Sequence, residues 1–151
     1  MSTSVYSEEG RVNAICAIAS YNPSSPTTPH LITALHAPFS FSLIGNRHLA
    51  LVGDAVLRLV LTLGGFHRTV NGDTPNDVLS TVLSNAHLAQ RGFELGIDQF
   101  IYINPTQAAP VSENVVASTV KAILGAVFLD SGKNIAAVER SAAAMGIVWL
   151  E

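Results

Sequence analysis

Charge is what this chain has least of. Asp, Glu, Lys and Arg make up only 13% of its 151 residues, against 48% that are hydrophobic. A domain with so few charges tends to cover part of its apolar exterior with another subunit. Positive charge is scarcer still. The formal net charge is −3 and no basic tail or stripe is present, which argues against strong non-specific attraction to phosphate backbones. Cysteine occurs once, at Cys16. No internal disulfide can form, and the expected role is a core residue in a reducing compartment. No uninterrupted apolar run approaches the roughly 20 residues of a membrane span, so no membrane partner is expected. Glu8 and Glu9 precede the first basic residue, Arg11, which fits neither a secretory signal nor an arginine-rich transit peptide. Cytoplasm or nucleus is the expected location.

What is present is helical periodicity. The length suits one domain over residues 1–151 with a substantial core. Residues 7–20 carry Val12, Ile15, Cys16 and Ala19 at helical spacing. Pro23, Pro26 and Pro29 then forbid a continuous helix. A short helix is expected from His30 to Leu35, and irregular chain from Ala37 to the Gly45-Asn46 breaker. From Asn46 to about Leu63 a long helix places Leu49, Val52, Gly53, Val56, Leu59, Val60 and Leu63 on one face. The other face collects Arg47, Ala50, Leu51, Asp54, Ala55 and Arg58. Two half-apolar faces imply two burial partners, core on one side and a second subunit on the other. Gly64-Gly65 is expected to end this helix.

Asp73 or Thr74 can cap a helix with Pro75 at its first position, running to about Ser84. Another is expected from Asn85 to Glu94, closed by Gly96. Residues 97–111 read as loop with one turn near Phe100. Ser112 opens a long helix to about Leu129, with Glu113 favoured by the helix dipole. Asp130-Ser131-Gly132 breaks it, and a last helix runs from Lys133 to about Met145. No strand-like alternation persists, so the fold class is all-α. His30, His36, His48, His67 and His87 are scattered and show no zinc-ligand spacing.

Two stretches carry a resemblance. Asn46-Arg47-His48-Leu49-Ala50-Leu51-Val52-Gly53-Asp54-Ala55-Val56-Leu57 and the run from Ala117 to Gly132 are similar to the two helical motifs of the ribonuclease III catalytic domain. Asn76 to Gly96 resembles a third family segment, in the same order. Gly53, Ala55, Val56, Leu57, Ala122, Gly125, Ala126, Leu129 and Asp130 match the scaffold of those motifs. The resemblance implies a ribonuclease III-like endonuclease domain whose relatives hold Mg²⁺ with carboxylates from two helices. Two-metal hydrolysis needs such acids, because clustered oxygens hold the cations that activate water and neutralise phosphoryl charge.

Here the four metal-ligand positions implied by the resemblance are Ala50, Asp54, Ser118 and Lys121, and only Asp54 is a carboxylate. Arg47 stands where relatives have an RNA-side glutamate. The expectation is a domain with no catalytic residues, no metal and no cofactor. Asp54 is expected to pair with Lys121, Arg47 or Arg58; pairing with Arg58 alone on a solvated face and retention of metal are the competing readings. Leu51 stands where the family places a phenylalanine that inserts into its partner. Leu51, Asp54, Ala55 and Arg58 are therefore expected at a homodimer interface.

The resulting functional expectation is an inactive, dimeric RNA-binding or assembly module in RNA processing. Its partners would be a second copy, structured or double-stranded RNA, or an active ribonuclease III or Dicer-type protein. Arg47, Arg58 and Lys121 would contact RNA, helped by Arg68 and Arg91. No appended double-stranded-RNA-binding domain is expected. One alternative is a remodelled endoribonuclease using Mg²⁺ on Asp54 with Glu113, Glu94 or backbone oxygens. A second is a structural subunit of a ribonucleoprotein.

Overall fold

Serine and asparagine set where most of the helices begin. The computed structural model describes residues 6–39, 43–66, 75–104 and 110–149. Ser7 Oγ accepts from the Gly10 amide at 3.0 Å and starts α1, Glu8–Ile18. Ser84 Oγ accepts from His87 N at 3.1 Å and starts α5, Asn85–Glu94. Ser112 Oγ accepts from Val115 N at 3.2 Å and starts α6, Glu113–Asp130. Asn134 does the same for α7, Ile135–Ala144. Each cap satisfies an amide that the helix itself leaves without an acceptor. The remaining helices are α2 (Pro29–Ala34), α3 (Arg47–Phe66) and α4 (Pro75–Val82), with a 3₁₀ turn at Ile97–Phe100. The proposed caps Asp73 and Thr74 lie outside the described residues, as do His67 and Arg68.

The architecture is all-α among the described residues, and α6 is its centre. That helix is apolar nearly all round, with Val116, Val120, Ile123, Leu124 and Val127 fully buried. A helix of that kind belongs inside a bundle. It packs along α3, α5, α2 and α7. One contact was not anticipated: a parallel bridge pairs His36 with Tyr102, through Ala37 N to Tyr102 O at 3.0 Å and Tyr102 N to Leu35 O at 2.7 Å. The Tyr102 ring stacks on His36 with centroids 4.4 Å apart, and the buried Arg11 guanidinium lies 4.1 Å from that ring. This stack fastens α1 to the bundle. Cys16 is half-buried and packs against the core; burial, then the nearby Asp130 carboxylate, push its thiol pKa up.

Three expectations for α3 need correction. Its inner face holds Leu49, Gly53, Val56, Leu57, Val60 and Leu61, whereas Leu59 and Leu63 are each 43% exposed. The buried stripe drifts round the helix because 3.6 residues per turn do not keep a fixed register over five turns. Gly64-Gly65 does not end the helix, which continues to Phe66. A Cβ at Gly65 would lie 2.5 Å from the Trp149 ring, so the glycine makes room for the indole. Finally, α3 is long and apolar enough, by length and composition, to cross a membrane. Arg47, Asp54 and Arg58 interrupt the apolar run without lowering its mean hydropathy enough to exclude that. In the fold its inner face is part of the core, packed along α6.

Candidate functional site: a cleft between two crossed helices

The site exists because two helices touch backbone to backbone. A Cβ at Gly53 of α3 would lie 1.7 Å from the Lys121 carbonyl oxygen of α6. A Cβ at Gly125 of α6 would lie 2.2 Å from the Leu49 carbonyl oxygen of α3. Both distances are far inside van der Waals contact, so only glycine at both positions permits this crossing. The crossing brings Asp54, one residue past Gly53, beside Lys121. Asn46, almost fully buried before α3, locks the same corner. Its Nδ2 donates to Ala34 O at 2.9 Å and to Thr119 Oγ1 at 3.1 Å, tying α2, α3 and α6 together.

Beside the crossing opens a cleft of about 550 Å³ lined by Pro38, Asn46, Arg47, Ala50, Leu51, Asp54, Asn114, Val115, Ser118 and Lys121. All four positions singled out in the sequence, Ala50, Asp54, Ser118 and Lys121, meet here. Asp54 Oδ1 lies 3.3 Å from Lys121 Nζ, with side chains 37% and 19% exposed respectively. The ammonium is held on another side by Asn85 Oδ1 at 3.4 Å, and Asn85 Nδ2 donates to Asn114 Oδ1 at 3.2 Å. A relay of four side chains therefore runs from α3 through α6 and α5 to the start of α6.

The cleft does not suit a divalent ion. Asp54 is the one carboxylate among its described lining residues, whereas Mg²⁺ needs oxygen ligands at roughly 2.0–2.1 Å in octahedral array. An ion seated on Asp54 Oδ1 would share that atom with the ammonium of Lys121 and be repelled by it. Among the described residues, no three His, Cys, Asp or Glu side chains come together as a metal-binding group.

The other expected residues divide. Arg47 lines the cleft, but Arg58 does not; it is exposed further along α3 and pairs with no acid among the described residues. Asp54 takes Lys121, not Arg47 or Arg58. Glu113 and Glu94 are not among the lining residues, and Glu94 is ion-paired to Arg91. Arg91 also donates through Nε to Met145 O at 3.0 Å, so it fastens α5 to the end of α7 and is not free for phosphate. Leu51 stands at the cleft edge and is 70% exposed. Sequence reasoning missed Asn85, Asn114 and Pro38, which reach the site from other segments. Asn46 was read only as a helix breaker, although its place at the head of the first motif was a signal.

Comparisons with known proteins agree with this geometry. The Ribonuclease III domain pattern matches residues 47–132. Dicer-like protein 2 of Aspergillus oryzae is 27% identical over 142 residues, covering 80% of this chain and 10% of that protein. Ribonuclease 3 of Shewanella sediminis is 29% identical over 93 residues, covering 58% of this chain and 41% of that one. The chain thus spans less than half the length of either relative. The crystal structure of the nuclease domain of ribonuclease III from Campylobacter jejuni superposes with a TM-score of 0.74 at 19% identity, covering 88% of this chain and 92% of that one. A second structure of that domain, described for flexibility in its dimer-forming region, gives 0.74 at 20% identity over 89% and 94% of the two chains. Fold, cleft and matched residues together make this chain a member of the ribonuclease III domain family.

Proposed function

We propose that this chain is a catalytically inactive ribonuclease III-like domain that acts as a dimeric RNA-binding or assembly module in RNA processing. The observation that carries the proposal is the Lys121 ammonium, 3.3 Å from the one acid among the described residues that line the cleft. Removing ligands from a two-metal site removes the charge stabilisation on which phosphodiester hydrolysis depends. An ammonium can neutralise a carboxylate but cannot lower the pKa of a bound water as a divalent ion does.

Dimerisation is supported by the outer face of α3. Leu51, Leu59, Leu63 and Phe66 stand out from it, the last 82% exposed, and Ala55 lies among them. A contiguous apolar stripe on a lean surface is a subunit interface in waiting. The partner is a second copy or, given the similarity to Dicer-like protein 2, an active protein of that type. RNA would enter the cleft against Arg47 and Lys121.

The test is a duplex-RNA cleavage assay with Mg²⁺ or Mn²⁺, run beside light scattering. No cleavage, binding of the duplex and a doubled mass are expected. Cleavage abolished by Asp54→Asn would refute inactivity, and a monomeric mass would refute the homodimer.

A further inference from the structure

We infer that this cleft is an anion site carrying its own cation, so that it takes the phosphodiester backbone of duplex RNA without any divalent ion. The inference rests on the proposed RNA-binding reading and goes beyond it in naming what neutralises the phosphate.

The charge of the cleft is the first argument. Among the described residues its lining has two cations, Arg47 and Lys121, against one carboxylate, Asp54, a formal balance of plus one. The whole chain stands at −3, so everything outside the cleft sums to minus four. The cleft is therefore a positive spot on an acidic protein. A cleft lined with four carboxylates would be the reverse, and would need bound cations before it could face a phosphate at all.

The second argument is the arrangement of Lys121. An ammonium has three donors and no acceptor. Asp54 Oδ1 at 3.3 Å and Asn85 Oδ1 at 3.4 Å engage two of them. No third acceptor meets Nζ among the described residues, while the side chain lines the open cleft. The flexible lysine stem is thus pinned before any ligand arrives, which lowers the entropy lost on binding. Arg47 lines the same space, and the Ser118 hydroxyl adds a neutral donor. Two cations and a hydroxyl suit one or two neighbouring phosphates, whose sequence-independent attraction is salt-dependent.

The experiment measures fluorescence anisotropy of a short labelled RNA duplex, with EDTA and with Mg²⁺, at matched ionic strength. The dissociation constant should agree within about two-fold between the two conditions and weaken as salt rises. Lys121→Glu, which supplies an acid at this position, should weaken binding in EDTA and regain part of it in Mg²⁺. Should that variant fail to fold by circular dichroism, Lys121→Met serves instead, with a roughly ten-fold loss that Mg²⁺ does not repair. If the unaltered chain binds only when Mg²⁺ is present, the inference is overturned while RNA binding itself stands. If it binds the duplex in neither condition, the underlying reading fails as well.

Discussion

Replacing Gly53 by alanine should damage this protein, while the same change eleven residues later on the same helix should help it. At Gly53 the new methyl would stand 1.7 Å from the Lys121 carbonyl oxygen and 3.0 Å from Gly125 N. Both are backbone atoms, which cannot rotate aside. Ordinary contact distance then requires α3 and α6 to part by roughly 1.5 Å, and a gap of even 0.5–1 Å forfeits a quarter to a half of the dispersion well. Gly53 and Gly125 are both buried, so the cost should reach or pass the ~3 kcal/mol upper end of overpacking. Alanine recovers about 1 kcal/mol of helix propensity, leaving a net loss of about 2 kcal/mol or more. At Gly64 nothing lies within 4 Å of the added Cβ, and the gain should be about 0.5 kcal/mol near the helix end. Thermal melts read both: a fall of about 4–8 °C for Gly53→Ala and a rise of about 1–2 °C for Gly64→Ala, taking about 2–4 °C per kcal/mol for a chain of this size. A Gly53→Ala protein melting at or above the unaltered one would refute the crossing geometry.

Leu51→Asp, at an exposed position, should change monomer stability by no more than about 0.5 kcal/mol yet halve the mass seen by light scattering; an unchanged mass would exclude Leu51 from the interface. The His36 ring, whose pKa is lowered by burial and by Arg11 against an opposing pull from Glu8, resists protonation in the fold. Its unfolded counterpart takes up a proton below pH about 6.5, so stability should drop as pH falls through that value. His36→Gln should flatten that part of a denaturation–pH profile. The Tyr21 phenol is pushed up to about 12, by burial first and then by its hydrogen bond to Asp130, which also accepts from Ser24 N at 2.8 Å. Ultraviolet titration should find Tyr21 ionising well above pH 10, and Asp130→Asn should bring it down. The stability it contributes is whole below pH about 10 and lost as pH rises through the folded value.

The helices were legible because their starts are written locally. Ser112 and Gly96 fixed the start of α6 and the end of α5 from a few residues of context, whereas Ser84, read as the end of α4, proved to be the cap of α5. The pairing of Asp54 with Lys121 was legible as one of three options, since spacing put each on the outer face of its helix and the family resemblance implied that the two helices cross. Choosing among Lys121, Arg47 and Arg58 needed the crossing at Gly53 and Gly125, which joins residues more than sixty apart in sequence. Asn85 and Asn114 were invisible for the same reason: a neutral amide has no pattern until the fold brings it to an ammonium. The face of α3 was misplaced because periodicity counts apolar letters equally, while burial follows the neighbours actually present. Gly65 looked like a terminator because the Trp149 ring it accommodates is far along the chain.

The exchange of a bound divalent ion for a side-chain ammonium is tested most directly by titrating Mn²⁺ into the protein and following paramagnetic broadening of its nuclear magnetic resonance signals. Broadening that stays diffuse, with no saturating site around residues 50, 54, 118 and 121, is the result expected. Saturable broadening centred on Asp54, absent from Asp54→Asn, would contradict the account.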